Sequence, residues 1–134
     1  MYKIDFSVML PDTDAAGILF FGNYYKLAHQ AYEIFMENIE YSLAYILNEA
    51  DILLLIVHSE CDYKRSLNLG DRFTVELNVE KTGKTSFSLF YRFFTPDKQL
   101  IAELKTIHVA IDKIKKRPVK LPDRLKKELE IHLL

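Results

Sequence analysis

Between Asn23 and Ile39 the apolar residues recur at helical spacing, while before and after that stretch they alternate with a period of two. Tyr24, Leu27, Ala28, Ala31, Phe35 and Ile39 form the stripe. Tyr25, Tyr32, Ile34 and Met36 widen it over much of the girth, which predicts a deeply buried helix with Asn23 as its N-cap. Upstream, Tyr2, Ile4, Phe6, Val8 and Leu10 alternate as in a strand. Downstream, a short helical piece at 42–49 precedes four more strands. Their apolar residues lie at Leu54 to Tyr63, at Phe73, Val75, Leu77 and Val79, at Phe87, Leu89, Tyr91 and Phe93, and from Leu100 to Ile111. Leu69-Gly70-Asp71, Thr82-Gly83-Lys84 and Thr95-Pro96-Asp97-Lys98 are the turns between them. A terminal helix is expected from Arg124, capped by Asp123. The run Ile52 to Val57 fits a buried strand. A helix apolar over so much of its surface needs a cover, and an antiparallel sheet wrapped around it supplies one. The pattern predicts an α+β fold in a single domain spanning residues 1–134, with no repeat or linker.

A formal net charge of -1 leaves no basic footprint for nucleic acid. The cluster Lys113, Lys115, Lys116, Arg117 and Lys120 reads as a solvated turn and helix edge. No apolar run reaches the ~20 residues of a membrane helix. One cysteine, Cys61, permits no internal disulfide and fits a reducing compartment, so a soluble cytoplasmic protein is expected. The histidines and the cysteine lack metal-ligand spacing, and no Gly-x-Ser-x-Gly elbow is present.

Chemistry concentrates in Asp12-Thr13-Asp14-Ala15-Ala16-Gly17-Ile18-Leu19-Phe20-Phe21-Gly22-Asn23-Tyr24. A carboxylate stands in an irregular loop that runs into a helix N-terminus, where unpaired N–H groups and the dipole favour an oxygen acquiring negative charge. Acyl transfer needs that donor set and a carboxylate acting as nucleophile or as base for water. Local chemistry alone favours the plainer reading, in which Asp12 and Asp14 end a strand and shape a turn.

This segment resembles the signature of the 4-hydroxybenzoyl-CoA thioesterase family of hotdog proteins: Asp14, Gly17 and Phe21-Gly22-Asn23-Tyr24 stand in the family's register. The similarity continues through Ile56-Val57-His58, Asp62-Tyr63, Gly70-Asp71, Lys84-Thr85-Ser86 and His108-Val109-Ala110, and so covers the chain to about Pro122. It implies a hotdog fold and hydrolysis of an acyl-CoA, or of the equivalent acyl carrier protein thioester. It implies Asp14 as nucleophile or general base, the Phe21 backbone N–H as carbonyl-polarising donor, Gly22 as a point of close backbone approach, and Gly17 as keeper of the loop conformation. Tyr24, His58, Tyr63, Lys64, Arg65, Lys84, Thr85 and Ser86 are the expected substrate-binding residues, the cations for the coenzyme A phosphates. No cofactor is implied, since coenzyme A belongs to the substrate. A homodimer or homotetramer with active sites at the interface is implied as well.

Short-acyl members of the family often carry histidine where this chain has Phe21. The run from Asp12 to Gly17, His29-Gln30-Ala31-Tyr32-Glu33 and Ile56-Val57-His58 look more like the 1,4-dihydroxy-2-naphthoyl-CoA hydrolases. The competing classes are a short-chain thioesterase, a hotdog dehydratase using a histidine with a helix carboxylate, and a non-catalytic acyl-binding module. Glu33 stands on the central helix, where a different hotdog branch carries its catalytic carboxylate, but the matching glycine-rich motif is absent. His29, His58 and His108 read as packed or sheet residues otherwise.

Overall fold

A computed structural model describes residues 1–134. Strand β1 (Tyr2–Ser7) leads through a short 3-10 turn (Leu10–Asp12) to helix α1 (Asn23–Asn38). Helix α2 (Leu43–Asn48) follows, then strands β2 (Ile52–Tyr63), β3 (Arg72–Thr82), β4 (Ser86–Phe94) and β5 (Leu100–Asp112), and helix α3 (Asp123–Ile131). The five strands form one sheet in the order β1-β3-β4-β5-β2, antiparallel at every junction. This is the α+β architecture expected from the change of period at Asn23.

The strand alternation places Phe73, Val75, Leu77 and Val79 of β3 beside Leu89, Tyr91 and Phe93 of β4 on the inner face, all buried. Helix α1 lies against that face through Tyr24, Leu27, Ala28, Ala31, Tyr32, Phe35 and Met36. Tyr24 meets Phe93, and Tyr32 meets His108 on β5. Its start has no side-chain cap, an omission worth ~1 kcal/mol. Burial outweighs that, since each large apolar side chain removed from water contributes ~2 kcal/mol. The helix ends in a Schellman arrangement: Tyr41 N–H donates to Met36 and Glu40 N–H to Glu37, with Glu40 at φ 61°.

The structure corrects four details. Gly22, not Asn23, is the residue before the first helical turn. Pro122 holds the corresponding place for α3, with Asp123 inside its first turn. Helix α1 is amphipathic rather than buried all round: Lys26, His29, Gln30, Glu33, Ile34 and Glu37 are exposed. The Ile52–Val57 run is not a buried strand, because β2 pairs only with β5. Its other side has no neighbour, and Leu55, Ile56 and Val57 are exposed.

The far edge differs. There β1 pairs with β3 from Arg72 to Leu77, and the chain end continues the cover. Val79 N–H donates to His132 and Leu134 N–H to Val79. No helix is long and apolar enough to cross a membrane.

Candidate active site

Asp14 opens a tight loop. Its N–H donates to Ile18 and its carbonyl accepts from Gly17, whose φ of 75° carries the chain through a left-handed turn that other residues adopt at a cost. Thr13 and Leu19 bridge the base of the loop. The carboxylate takes part as well: Oδ1 accepts from Ala16 N–H at 2.8 Å and from Ile18 N–H at 3.2 Å. The turn-shaping and chemical readings of Asp14 are thus compatible, because one oxygen anchors the loop and Oδ2 takes no protein donor. The residue is exposed.

The loop is pinned on both sides. Gly17 accepts from Leu69 N–H, and Leu19 N–H donates to Leu67. On the helix side, Asp12 is buried and its Oδ1 meets Lys26 Nζ at 2.6 Å. The Asp12 carbonyl accepts from Phe20 N–H and from Asn23 Nδ2. Asn23 therefore ties loop to helix instead of capping it. Lys26 gave no sequence signal for this role, since the partners lie 14 residues apart on different elements.

Phe20 to Asn23 forms the turn into α1, closed by Asn23 N–H donating to Phe20. The two central N–H groups of such a turn point away from it, and those of Phe21 and Gly22 have no protein acceptor. Gly22 has φ -66°, within reach of any residue, but an added Cβ would lie 3.0 Å from the Phe20 ring. Glycine here makes room for the Phe20 ring beside the turn.

Beside this turn opens a cleft of about 320 Å³, lined by Leu19, Phe21, Tyr24, Tyr63, Lys64, Arg65 and Ser66. Five expected site residues thus come together: Phe21, Tyr24, Tyr63, Lys64 and Arg65. Tyr24 and Tyr63 meet edge to face at 5.1 Å, Phe21 and Tyr63 at 6.3 Å. The Tyr24 hydroxyl donates to the Arg65 carbonyl at 3.3 Å, and burial pushes that phenol up to about 12. Leu19 and Ser66 were not anticipated. Asp14 and Gly17 stand in the adjoining loop and do not line the cleft itself. A larger hollow of about 440 Å³ runs past Glu33, Glu37 and Glu40, and its acidic wall repels a polyanionic ligand.

His58, Lys84, Thr85 and Ser86 do not join the cleft within one chain. His58 lies outward on β2, with Nε2 3.0 Å from Glu60. Ser86 pairs with Val109, whereas Tyr63 pairs with Ala102, so the Lys84–Ser86 turn sits seven residues along β5. That separation is ~23 Å at strand rise.

His108 is fully buried between Phe87, parallel at 4.8 Å, and Tyr32 at 4.7 Å. Its Nε2 lies 2.8 Å from Thr106 Oγ1, and Nδ1 has no partner. Burial, seconded by His29, lowers it from 6.5 to about 3, so the ring is neutral. It is a core residue, as its place in a strand suggested.

Comparison with known proteins follows the same lines. Residues 8–129 match the family described as the thioesterase-like superfamily. A 1,4-dihydroxy-2-naphthoyl-CoA hydrolase of Synechococcus elongatus is 31% identical over 131 residues, covering 97% of this chain and 96% of the relative. Another so named, from Rippkaea orientalis, is 35% identical over 79% of this chain and 78% of its own. The crystal structure of a 1,4-dihydroxy-2-naphthoyl-CoA thioesterase from Synechocystis superposes with a TM-score of 0.90 at 28% identity, over 96% and 94% of the two chains.

Proposed function

This chain belongs to the thioesterase-like superfamily of hotdog proteins, which makes it a hydrolase of acyl-CoA thioesters, and from that premise we propose that Asp14 drives the reaction opposite the Phe21–Gly22 turn. The observation that carries the proposal is the pair of free N–H groups at Phe21 and Gly22, on a turn that lies next to both the Asp14 loop and a cleft with aromatic walls. The thioester carbonyl oxygen accepts from those N–H groups. The free Asp14 oxygen either attacks the carbonyl carbon or takes a proton from water that does so. Collapse of the tetrahedral intermediate breaks the C–S bond and expels the coenzyme A thiolate, which takes up a proton. In the covalent route, water then hydrolyses the mixed anhydride and frees Asp14. Each aligned N–H is worth ~3 kcal/mol to the anionic oxygen. Lys64 and Arg65, exposed at the rim, serve the coenzyme A phosphates.

The preferred acyl group is aromatic, with 1,4-dihydroxy-2-naphthoyl-CoA the leading substrate. Phe21, Tyr24 and Tyr63 offer ring faces and edges suited to a flat acyl group. The working unit is a homodimer paired through β2. Antiparallel pairing of two β2 edges carries the Lys84–Ser86 turn of the partner subunit toward the Tyr63 end of the first, giving those residues a route to the substrate. The free thiol of Cys61 is in keeping with a cytoplasmic setting.

The test is thiol release from aromatic and aliphatic acyl-CoAs by wild type and Asp14→Asn. Asparagine keeps an oxygen for the Ala16 and Ile18 N–H groups, so the loop persists while the chemistry is removed. Turnover should fall at least about a thousand-fold, on the scale of a lost nucleophile or base. Undiminished turnover refutes the mechanism, and a preference for short acyl chains refutes the substrate.

A further inference from the structure

The Tyr63 hydroxyl donates to the Phe21 carbonyl oxygen at 3.1 Å, across 42 residues of sequence. That oxygen and the Gly22 N–H belong to one peptide unit. The oxygen's contact with Tyr24 N–H is long, 3.4 Å, so Tyr63 is its stronger partner. A peptide that accepts a hydrogen bond at oxygen is polarised, and its own N–H becomes a better donor. The bond also fixes the peptide plane, and with it the direction of the Gly22 N–H.

Tyr63 is well placed to hold that direction. It is the last residue of β2, in register with Ala102 of β5, so its backbone belongs to the sheet ladder. Its ring meets Tyr24 and Phe21 edge-on, which limits ring motion. Desolvation, then the neighbouring Cys61, hold the phenol above its ordinary value, so the hydroxyl remains a donor across the working pH range.

We infer that Tyr63 is a positioning residue for thioester hydrolysis: through the Phe21 carbonyl it aligns and polarises the peptide whose Gly22 N–H meets the developing oxyanion. The inference rests on the reaction proposed above and adds a residue that acts without touching the reacting atoms. It gives a rigid sheet residue control over a donor on a turn.

Tyr63→Phe removes the hydroxyl and leaves the ring contacts. The expected result is a fall in kcat of about ten-fold, with KM changed less than two-fold, as for an interaction made in the transition state. In the free protein the Gly22 amide resonance should move upfield, while the Gly17 amide, outside this peptide, stays in place. That resonance reads the peptide without substrate and without reference to Asp14. If Asp14→Asn retains turnover, the reaction scheme fails whatever Tyr63→Phe does. If Asp14→Asn is inactive while Tyr63→Phe keeps wild-type kcat and an unmoved Gly22 resonance, the positioning role is overturned. A change confined to KM also overturns it, leaving Tyr63 a substrate contact.

Discussion

The two edges of the sheet are built to opposite specifications. Strand β1 has six residues, turns Lys3, Asp5 and Ser7 outward, and runs into Pro11. Beyond it, His132–Leu134 bonds to Val79 and covers the remaining edge of β3. Strand β2 has twelve residues, carries no charge from Ile52 to Val57, and presents an unpaired backbone. A bulge between Ile56 and His58 is its main irregularity. Proteins blunt edges with short strands, charges, prolines and covering segments because an open edge recruits another strand. The β1 edge is short and charged, with a covering segment beyond it on β3, whereas the β2 edge is long, uncharged over Ile52–Val57 and open.

The cores beneath the edges differ too. Strand β3, next to the β1 edge, buries one polar residue, Asn78, beside Phe73, Val75, Leu77 and Val79, whereas β5, next to the β2 edge, buries Thr106 and His108.

The sharpest way to break the contrast is to give β2 the charges that β1 has. Ile56→Lys with Val57→Lys should convert the proposed dimer to a monomer in sedimentation and lower kcat/KM about a hundred-fold or more. Paired like charges at a two-fold contact cost several kcal/mol. Ser7→Lys, at the covered edge, should change neither mass nor activity.

Acid should expose the second difference. His108 binds its proton in the unfolded chain near 6.5 but in the fold only near 3. Between those values the unfolded state holds more protons, so stability falls as pH drops through 6.5 toward 3 and is fully present above 6.5. The full loss is on the order of 5 kcal/mol. His108→Leu should flatten that part of the urea-measured stability profile.

The smallest effect comes from uncovering the closed edge. Removing Leu133 and Leu134 deletes the bond to the Val79 carbonyl, which costs ~1 kcal/mol. The melting temperature should fall by about 4 °C, with turnover and mass unchanged.

Much of this architecture was legible because it rests on periodicity. The switch at Asn23 located the helix, and the alternation after Phe73 located β3 and β4 with their inner faces. Strand order was not legible: nothing in Ile52–Val57 distinguishes a strand buried at the centre from one at the edge of the sheet, since either can be this apolar. At the site, the Asp14–Gly17 spacing and Phe21-Gly22-Asn23-Tyr24 were readable as a motif. The bonds that hold it, Lys26 to Asp12 and Tyr63 to Phe21, join residues 14 and 42 positions apart and leave no local trace. Asn23 misled for a related reason. Its side chain suits a cap, and a tertiary acceptor, the Asp12 carbonyl, claimed it first.

The divided carboxylate of Asp14 sets narrow terms for substitution. The oxygen facing Ala16 and Ile18 asks for a short side chain ending in an acceptor, a demand asparagine meets. The proposed chemistry asks for a full negative charge, a demand glutamate meets with one methylene too many for the loop. Saturation mutagenesis at position 14 should therefore separate into variants that keep the loop without turnover and variants that keep the charge with a disordered loop. Aspartate alone lies where the two sets overlap.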